Sequence, residues 1–419
     1  MRGAWILLIL ACARAAIAQE DGEAAALALA DRTQAVPSVR RVCVGYGEVA
    51  ATDTTYGNGM PSSSGGRTSL SVRCDGALAS QWRGVFSDRF DYFWAEGASA
   101  QAVNTLKEAY ISFSDAGTES VDVGRINVRE GVGFAYNPSD YFRGDAVRTI
   151  VSIDPDTLRD ERLGTFMARL QTLWSSGSLT AIFAPRLGGE PNDSTLSPDW
   201  GATNEHSRWL LVLSQRLAAD FQPQLSLTGT EHQSPQAGLD LTTLLNSATV
   251  AFLEWSGGRS AGNLALSGYG PSVSGATSFR SRLSSGFTYT TPYKLSVTVE
   301  YDYDGAAPGD DEWAAIRTGP LTPYVQYREY AGTRAELATR QSWFGYVHCD
   351  DAGISHLGLT AFVRLDPEDH SRLTWAEARY HWLHAGLAVQ WQRHSGDARS
   401  DLAPAPVRQS WRLLIDYYL

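Results

Sequence analysis

The chain has no uninterrupted run of about 18 apolar residues, so it offers no helix able to cross a bilayer. That absence leaves two classes: a water-soluble fold, or a barrel whose strands hide their apolar face by alternating it with polar residues. Positive charge is in deficit, with 35 Lys and Arg against 46 Asp and Glu. The deficit argues against nucleic acid as a partner, which needs a basic face. It argues equally against a polybasic membrane-surface protein. Four cysteines in 419 residues are too few for a disulfide framework. Histidine numbers only eight and shows no His-Glu-x-x-His spacing, so neither metal nor cofactor is expected.

Aromatic residues are plentiful: 13 Trp, 18 Tyr and 14 Phe, against three Met. Tyr and Trp suit a membrane–water interface, where an apolar ring meets a polar tip. Soluble β-sandwiches are also aromatic-rich, so composition alone does not separate the two.

Arg2, the apolar stretch Ala4–Ala13 and Ala16-Ile17-Ala18 form the pattern of an export signal with a small-residue cleavage site. Residues 1–18 are therefore read as a signal peptide, with a mature chain starting near Gln19. Cys12 after Leu10-Ala11 offers a lipoprotein site as the weaker alternative. Loss of Arg2 and Arg14 leaves 33 basic against 46 acidic residues, a net charge of −13. The Ala-rich stretch 19–38 reads as a short periplasmic extension and 39–419 as one domain. Of the cysteines that remain, Cys43 and Cys74 fall on strands expected to be neighbours. Their alternation phases differ, which leaves a bridge between them open.

Period-two patterning decides the class. From Tyr293 to Asp304 the odd positions are Tyr, Leu, Val, Val, Tyr and Tyr, and the even ones Lys, Ser, Thr, Glu, Asp and Asp. A segment of that length in one register suits a tilted membrane-spanning strand. Phe279, Leu283, Phe287 and Tyr289 repeat the pattern against Arg280, Arg282, Ser284 and Thr288, with Thr291-Pro292 as the turn between. Two more segments follow, Leu357–Leu365 and Leu383–Gln392, and a weaker one at Phe166–Gln171. A soluble sandwich also alternates, but points its apolar face into a shared core.

The end of the chain favours the membrane. Trp411, Leu413, Ile415, Tyr417 and Leu419 alternate with Arg412, Leu414, Asp416 and Tyr418. This resembles the closing strand of outer-membrane barrels, with an aromatic residue third from the end. The resemblance implies recognition by the barrel-assembly machinery; Leu419 stands where that family usually has Phe. Eighteen segments read as strands, and their connections alternate long and short, as outer loops and periplasmic turns do. The expected fold is all-β, a closed antiparallel transmembrane β-barrel of about 18 strands, with 14 to 18 as the range. The weak pattern at Leu321–Arg328 breaks the parity and is assigned to an outer loop.

Residues 129–163 form the longest connection. Val123-Gly124-Arg125, Gly131 and Asn137-Pro138-Ser139-Asp140 are similar to a pattern in outer-membrane channels of the broad porin and alginate-export type. The resemblance spans about 106–185 and implies a channel, outer-membrane lipids and lipopolysaccharide as surroundings, and a small-molecule solute. Asn-Pro-Ser-Asp is a turn builder: Pro138 fixes φ while Asn137 and Asp140 bond nearby backbone. The connection is either a folded surface loop or a loop bent into the lumen. In the second case Arg125, Arg129, Asp140, Arg143, Arg159, Glu161 and Arg162 would form an electrostatic filter. From the strands, Arg280, Arg282, Lys294 and Glu300 hold the polar phase and are expected to line the pore, as do Arg364 and Arg412. Charges on the lipid side would cost about 2–4 kcal/mol each at mid-membrane.

Two further motifs have bland readings. Asp302, Asp304, Asp310, Asp311 and Glu312 read as a solvated acidic loop rather than a hard-cation site. Gly258-Arg259-Ser260-Ala261-Gly262 matches G-x-S-x-G, but in a Gly/Ser-rich loop with no helix expected after it. No catalytic constellation emerges. The sequence thus favours a passive channel for small hydrophilic or amphipathic solutes. An outer-membrane lipid hydrolase or protease and a structural or adhesive barrel with a plugged lumen are the alternatives. Solute, ion selectivity and oligomeric state stay open.

Overall fold

The alternating segments become strands of one closed sheet in the computed structural model, which describes residues 42–57, 59–115, 117–192, 194–218, 221–268, 277–403 and 406–419. The signal peptide, the 19–38 extension and Cys12 lie outside the described residues. The first nine strands are β1 (Val42–Tyr56), β2 (Ser63–Ala79), β3 (Trp82–Ala95), β4 (Gln101–Asp115), β5 (Glu119–Ile126), β6 (Thr165–Trp174), β7 (Gly177–Ala184), β8 (Arg208–Gln215) and β9 (Gln224–Thr230). The second nine are β10 (Gln236–Asn246), β11 (Thr249–Ser260), β12 (Ser278–Thr290), β13 (Leu295–Asp304), β14 (Gln341–Cys349), β15 (Leu357–Leu365), β16 (Arg372–His381), β17 (Ala385–Ser395) and β18 (Val407–Tyr418).

Each strand pairs antiparallel with its sequence neighbours, and β18 pairs with β1, Ile415 opposite Val49. Closure removes the sheet edge, which hydrocarbon cannot satisfy. The outward phase is apolar: on β18, Trp411, Leu413, Ile415 and Tyr417 are exposed while Leu414 and Asp416 are buried in the lumen. The same inversion runs along β13, where Glu300, Asp302 and Asp304 are buried inside. An apolar exterior around a polar interior is the arrangement of a barrel that lipid surrounds.

Several expectations need correction. Cys43 and Cys74 are direct cross-strand partners and form a disulfide. Alternation phase was no guide to this pair, because near the strand end both faces are exposed. Strands β1 and β2 run further outward than their alternation at 41–50 and 68–76 suggests, since their outer ends are rich in Ser, Thr and Gly and lack an apolar rhythm. Leu321–Arg328 lies in a helix, Leu321–Thr333, preceded by a helix Asp310–Thr318. Trp313, Ile316, Tyr324, Tyr327 and Ala331 pack together, giving this outer pair of helices its own small core. Asp310, Asp311 and Glu312 occupy its first turn, where the helix dipole favours them, whereas Asp302 and Asp304 are buried. The G-x-S-x-G stretch straddles the end of β11 and is followed by a short helix, Asn263–Leu266.

Candidate pore and its inserted loop

The 127–164 connection does not lie on the surface. β5 stops after eight residues and the chain turns into the lumen, carrying Val128 and Phe142 into an apolar cluster. Val85, Tyr110, Ile126, Met167, Ile182, Leu210 and Val212 supply the wall side of that cluster. On the far side Phe134, Ala135 and Ile153 pack against Phe344, Phe362 and Trp375. The loop therefore spans the barrel between two greasy patches of its inner wall.

Polar contacts fix its height and orientation. Glu254 on β11 is fully buried and accepts hydrogen bonds from the amides of Val132 (2.7 Å), Gly133 (2.9 Å) and Ser139 (2.7 Å). Glu300 on β13, equally buried, accepts from Phe134 (2.5 Å), Ala135 (2.8 Å) and Tyr136 (3.1 Å). Approach this close requires Gly131: its φ is +88°, and a Cβ there would stand 2.6 Å from the Glu254 carboxylate. On the opposite wall the roles reverse. Arg67 on β2 and Arg412 on β18 both donate to the Val151 carbonyl, at 2.8 and 2.7 Å. Thr149 donates to Asp91 on β3 at 3.1 Å. The loop thus turns N–H groups toward two carboxylates on one wall, and on the other a carbonyl toward two arginines and a hydroxyl toward an aspartate.

Turn chemistry within the loop follows the sequence. Asp140 N–H donates to the Asn137 carbonyl at 3.2 Å, and Asn137 Nδ2 donates to Gly133 O at 2.6 Å. A short helix, Pro155–Asp160, is capped by Asp154, which accepts from Thr157 N at 3.1 Å.

The residues singled out from sequence separate into four groups. Arg129 and Arg159 line a cavity, and Arg129 pairs with Asp160 while Arg159 donates to Glu130 O at 2.9 Å. Asp140, Arg143, Glu161 and Arg162 lock the loop: Arg162 meets Asp140 at 2.8 Å, Arg143 meets Glu336 at 2.8 Å, and Glu161 meets Lys107 at 3.1 Å. Arg282, Glu300 and Arg280 face inward; Arg282 pairs with Asp304 at 3.2 Å, and Arg280 donates to Gly305 O at 2.9 Å. The remaining two expectations are corrected. Arg125 shares the outward phase of Val121 and Val123, and its guanidinium lies 4.3 Å from the ring centre of Trp200, which covers it. Lys294 sits in the turn before β13 with φ +57° and pairs with Asp351 at 2.9 Å, outside the lumen. Sequence reasoning passed over Glu254, Arg67, Arg89 and Asp91. Glu254 carried a legible signal, as the lone charge within Ala251-Phe252-Leu253-Glu254-Trp255.

Between the loop and the β2–β4 wall remains a cavity of about 500 Å³. Ser71, Arg73, Ser87, Lys107, Glu108, Asn127, Arg129, Asp156, Arg159 and Asp160 line it. Opposite charges are paired across its surface, as in Arg73 with Glu108 at 2.9 Å. A second gap, about 10 Å³ beside Ile153, Trp375 and Arg412, has room for roughly one water.

Comparison with known structures places the fold. The chain resembles OpdQ of Pseudomonas aeruginosa at a TM-score of 0.54 and 10% identity, covering 90% of this chain and 98% of that one. It resembles OccAB1 of Acinetobacter baumannii at a TM-score of 0.56 and 10% identity, covering 90% and 96%. Against OccK7 (OpdD) of Pseudomonas aeruginosa the values are 0.52, 12%, 90% and 98%. At such identities the likeness is one of fold. No family model matches the chain, and no curated protein does.

Proposed function

We propose that this barrel is a porin-like channel of a Gram-negative outer membrane, passing small hydrophilic or amphipathic solutes by diffusion. The observation that carries the reading is the charge-lined cavity between the inserted loop and the β2–β4 wall. A lumen packed shut would leave no such space, whereas this one keeps a polar cavity of about 500 Å³ beside the docked loop. The loop is then the constriction, and the ion pairs of its rim set what passes. Apolar strand faces meet outer-membrane lipid, lipopolysaccharide surrounds the outer rim, and the β18 strand engages the barrel-assembly machinery. We read the chain as a channel rather than an enzyme: among the described residues, no base meets Ser260 Oγ to activate it as a nucleophile.

Single-channel recording in planar bilayers tests the proposal. The purified barrel is expected to conduct, and deletion of about 134–150 is expected to raise the conductance. A folded barrel that never conducts would be a plugged structural barrel instead, the reading favoured by the loop's extensive docking. Liposome swelling with sugars, amino acids and organic acids then ranks the solutes.

A further inference from the structure

β5 ends at Ile126 after eight residues, whereas a spanning strand uses about 9–11. Its pairing with β4 stops where Arg125 faces Ala109, and the outer half of β4 continues without it. There the 185–207 connection, between β7 and β8, completes the wall. Side chains do much of the pinning. Asn204 Nδ2 donates to Phe166 O at 2.8 Å, its Oδ1 accepts from Phe166 N–H at 3.0 Å, and Thr203 Oγ1 donates to Gly164 O at 3.2 Å. Trp200 of this connection lies over Arg125.

Arg125 is only 1% exposed, yet its Nε, Nη1 and Nη2 all lack a hydrogen-bond partner among the described residues. The Trp200 ring attracts the charge from 4.3 Å, but it supplies no oxygen for the five N–H donors of a guanidinium. The cross-strand neighbours, Ala109 on β4 and Phe166 on β6, offer carbon side chains alone. Asp199, the acid whose field reaches Arg125, is engaged elsewhere. Its Oδ1 accepts from the N–H groups of Asn192 at 2.9 Å and Ala202 at 3.2 Å, and its Oδ2 lies 3.8 Å from Arg148 Nε. Two guanidiniums therefore share one carboxylate, and Arg125 is the one left without an acceptor. A buried cation in that condition is strongly unfavourable.

We infer that Arg125, on the outer side of the wall beneath Trp200, is a binding site for an oxyanion, a phosphate or carboxylate group. The planar fork of a guanidinium matches two oxygens of such a group at once, in the plane that the Trp200 ring leaves free. The net positive charge of Arg125, Arg148 and Asp199 favours an anion over a neutral acceptor such as water. The group arrives from the outer face, on a free ion or on the head of an amphiphile lying in the outer leaflet. This site is outside the lumen, so the inference stands whether or not the barrel conducts.

Binding to the purified full barrel in non-ionic detergent tests it, with inorganic phosphate and dodecyl phosphate as the two probes. The parent is expected to bind, and Arg125→Leu to bind at least about tenfold more weakly, as the loss of a charge-assisted hydrogen bond or more requires. Leucine suits an outward strand position beneath an indole ring, so this variant is expected to keep the folded band in unheated gels. Arg125→Lys retains a cation without the fork and is expected to fall between the two; should the leucine variant not fold, the lysine variant reads the same difference. Dodecyltrimethylammonium, with the same chain and the opposite charge, is expected to show no dependence on position 125. Dependence on Arg125 for both phosphate probes supports a site open to the free ion, and dependence for dodecyl phosphate alone supports a headgroup site. Binding of neither probe by the parent, or equal binding by parent and variants, would overturn the inference and leave Arg125 held by Trp200 alone.

Discussion

Glu254 holds Ser139 twice, accepting from its backbone N–H at 2.7 Å and from its hydroxyl at 2.9 Å. The two residues are 115 positions apart, and their contact fixes the tip of the inserted loop against β11. Glu300 repeats the device on β13 with three consecutive amides. Two buried carboxylates thus take the place of the strand partner that the loop backbone lacks. Each is neutralised by N–H dipoles rather than by a cation, a role suited to a carboxylate that accepts several bonds at once.

Removing both carboxylates is expected to free the loop. A hydrogen bond to a charged group contributes about 1.5–3 kcal/mol net, so the six amide bonds together outweigh the stability of any loop conformation alone. Glu254→Ala with Glu300→Ala should leave the barrel closed, because neither residue takes part in strand pairing through its side chain. Single-channel conductance should rise by about twofold or more as the loop leaves the lumen. Glu254→Gln, which keeps an accepting oxygen, should rise less. An unchanged conductance in the double alanine variant would show that the apolar clusters hold the loop unaided.

The pH dependence follows from Glu130, at the foot of the loop. Burial pushes its carboxyl up to about 7, against the hydrogen bond it accepts from Gln224 at 3.0 Å. The docked state therefore holds a proton that a released loop gives up near the ordinary glutamate value. Docking is strongest below that ordinary value and weakens as pH rises through about 7, by up to ~1.4 kcal/mol per pH unit. Ionisation also adds a negative charge within the lumen, on the β9 side of the loop. Cation over anion permeability, read from reversal potentials in a salt gradient, should increase between about pH 6 and pH 8. Glu130→Gln should flatten that change. A wild-type ratio constant over this range would place the charge elsewhere.

What the sequence made legible was local. Alternation in Tyr293–Asp304 or Trp411–Leu419 compares each residue with its nearest neighbours, and the barrel follows from it. Loop docking is a relation between Gly131–Ser139 and two carboxylates more than a hundred residues away, which no local pattern reports. Arg125 illustrates the converse failure. Its charge suggested water, yet strand phase sends it outward, where Trp200 from a distant connection covers it. Leu321–Arg328 does lie in an outer connection, but its helix was not legible: Tyr324 and Tyr327 form a face only once Trp313 and Ile316 are present to pack against them.

The disulfide between Cys43 and Cys74 closes a separation of 31 residues at the open end of the first hairpin, away from the connection between β1 and β2. Both strands are already paired from Val42 to Thr54, so the bridge adds no new contact to the folded wall. Its contribution lies in the unfolded chain, where a loop of that size loses about 3–4 kcal/mol of conformational freedom on cross-linking. Because β1 also pairs with β18, fraying of its first residues opens the seam at which the barrel closes. Cys43→Ser with Cys74→Ser is therefore expected to fold and conduct as the parent does, yet to unfold at lower temperature in detergent. The loss should be visible as an earlier shift from the compact to the extended band on heating before electrophoresis. Reductant should lower the midpoint of the parent as well. Equal midpoints for parent and variant without reductant would show that strand pairing alone holds the seam.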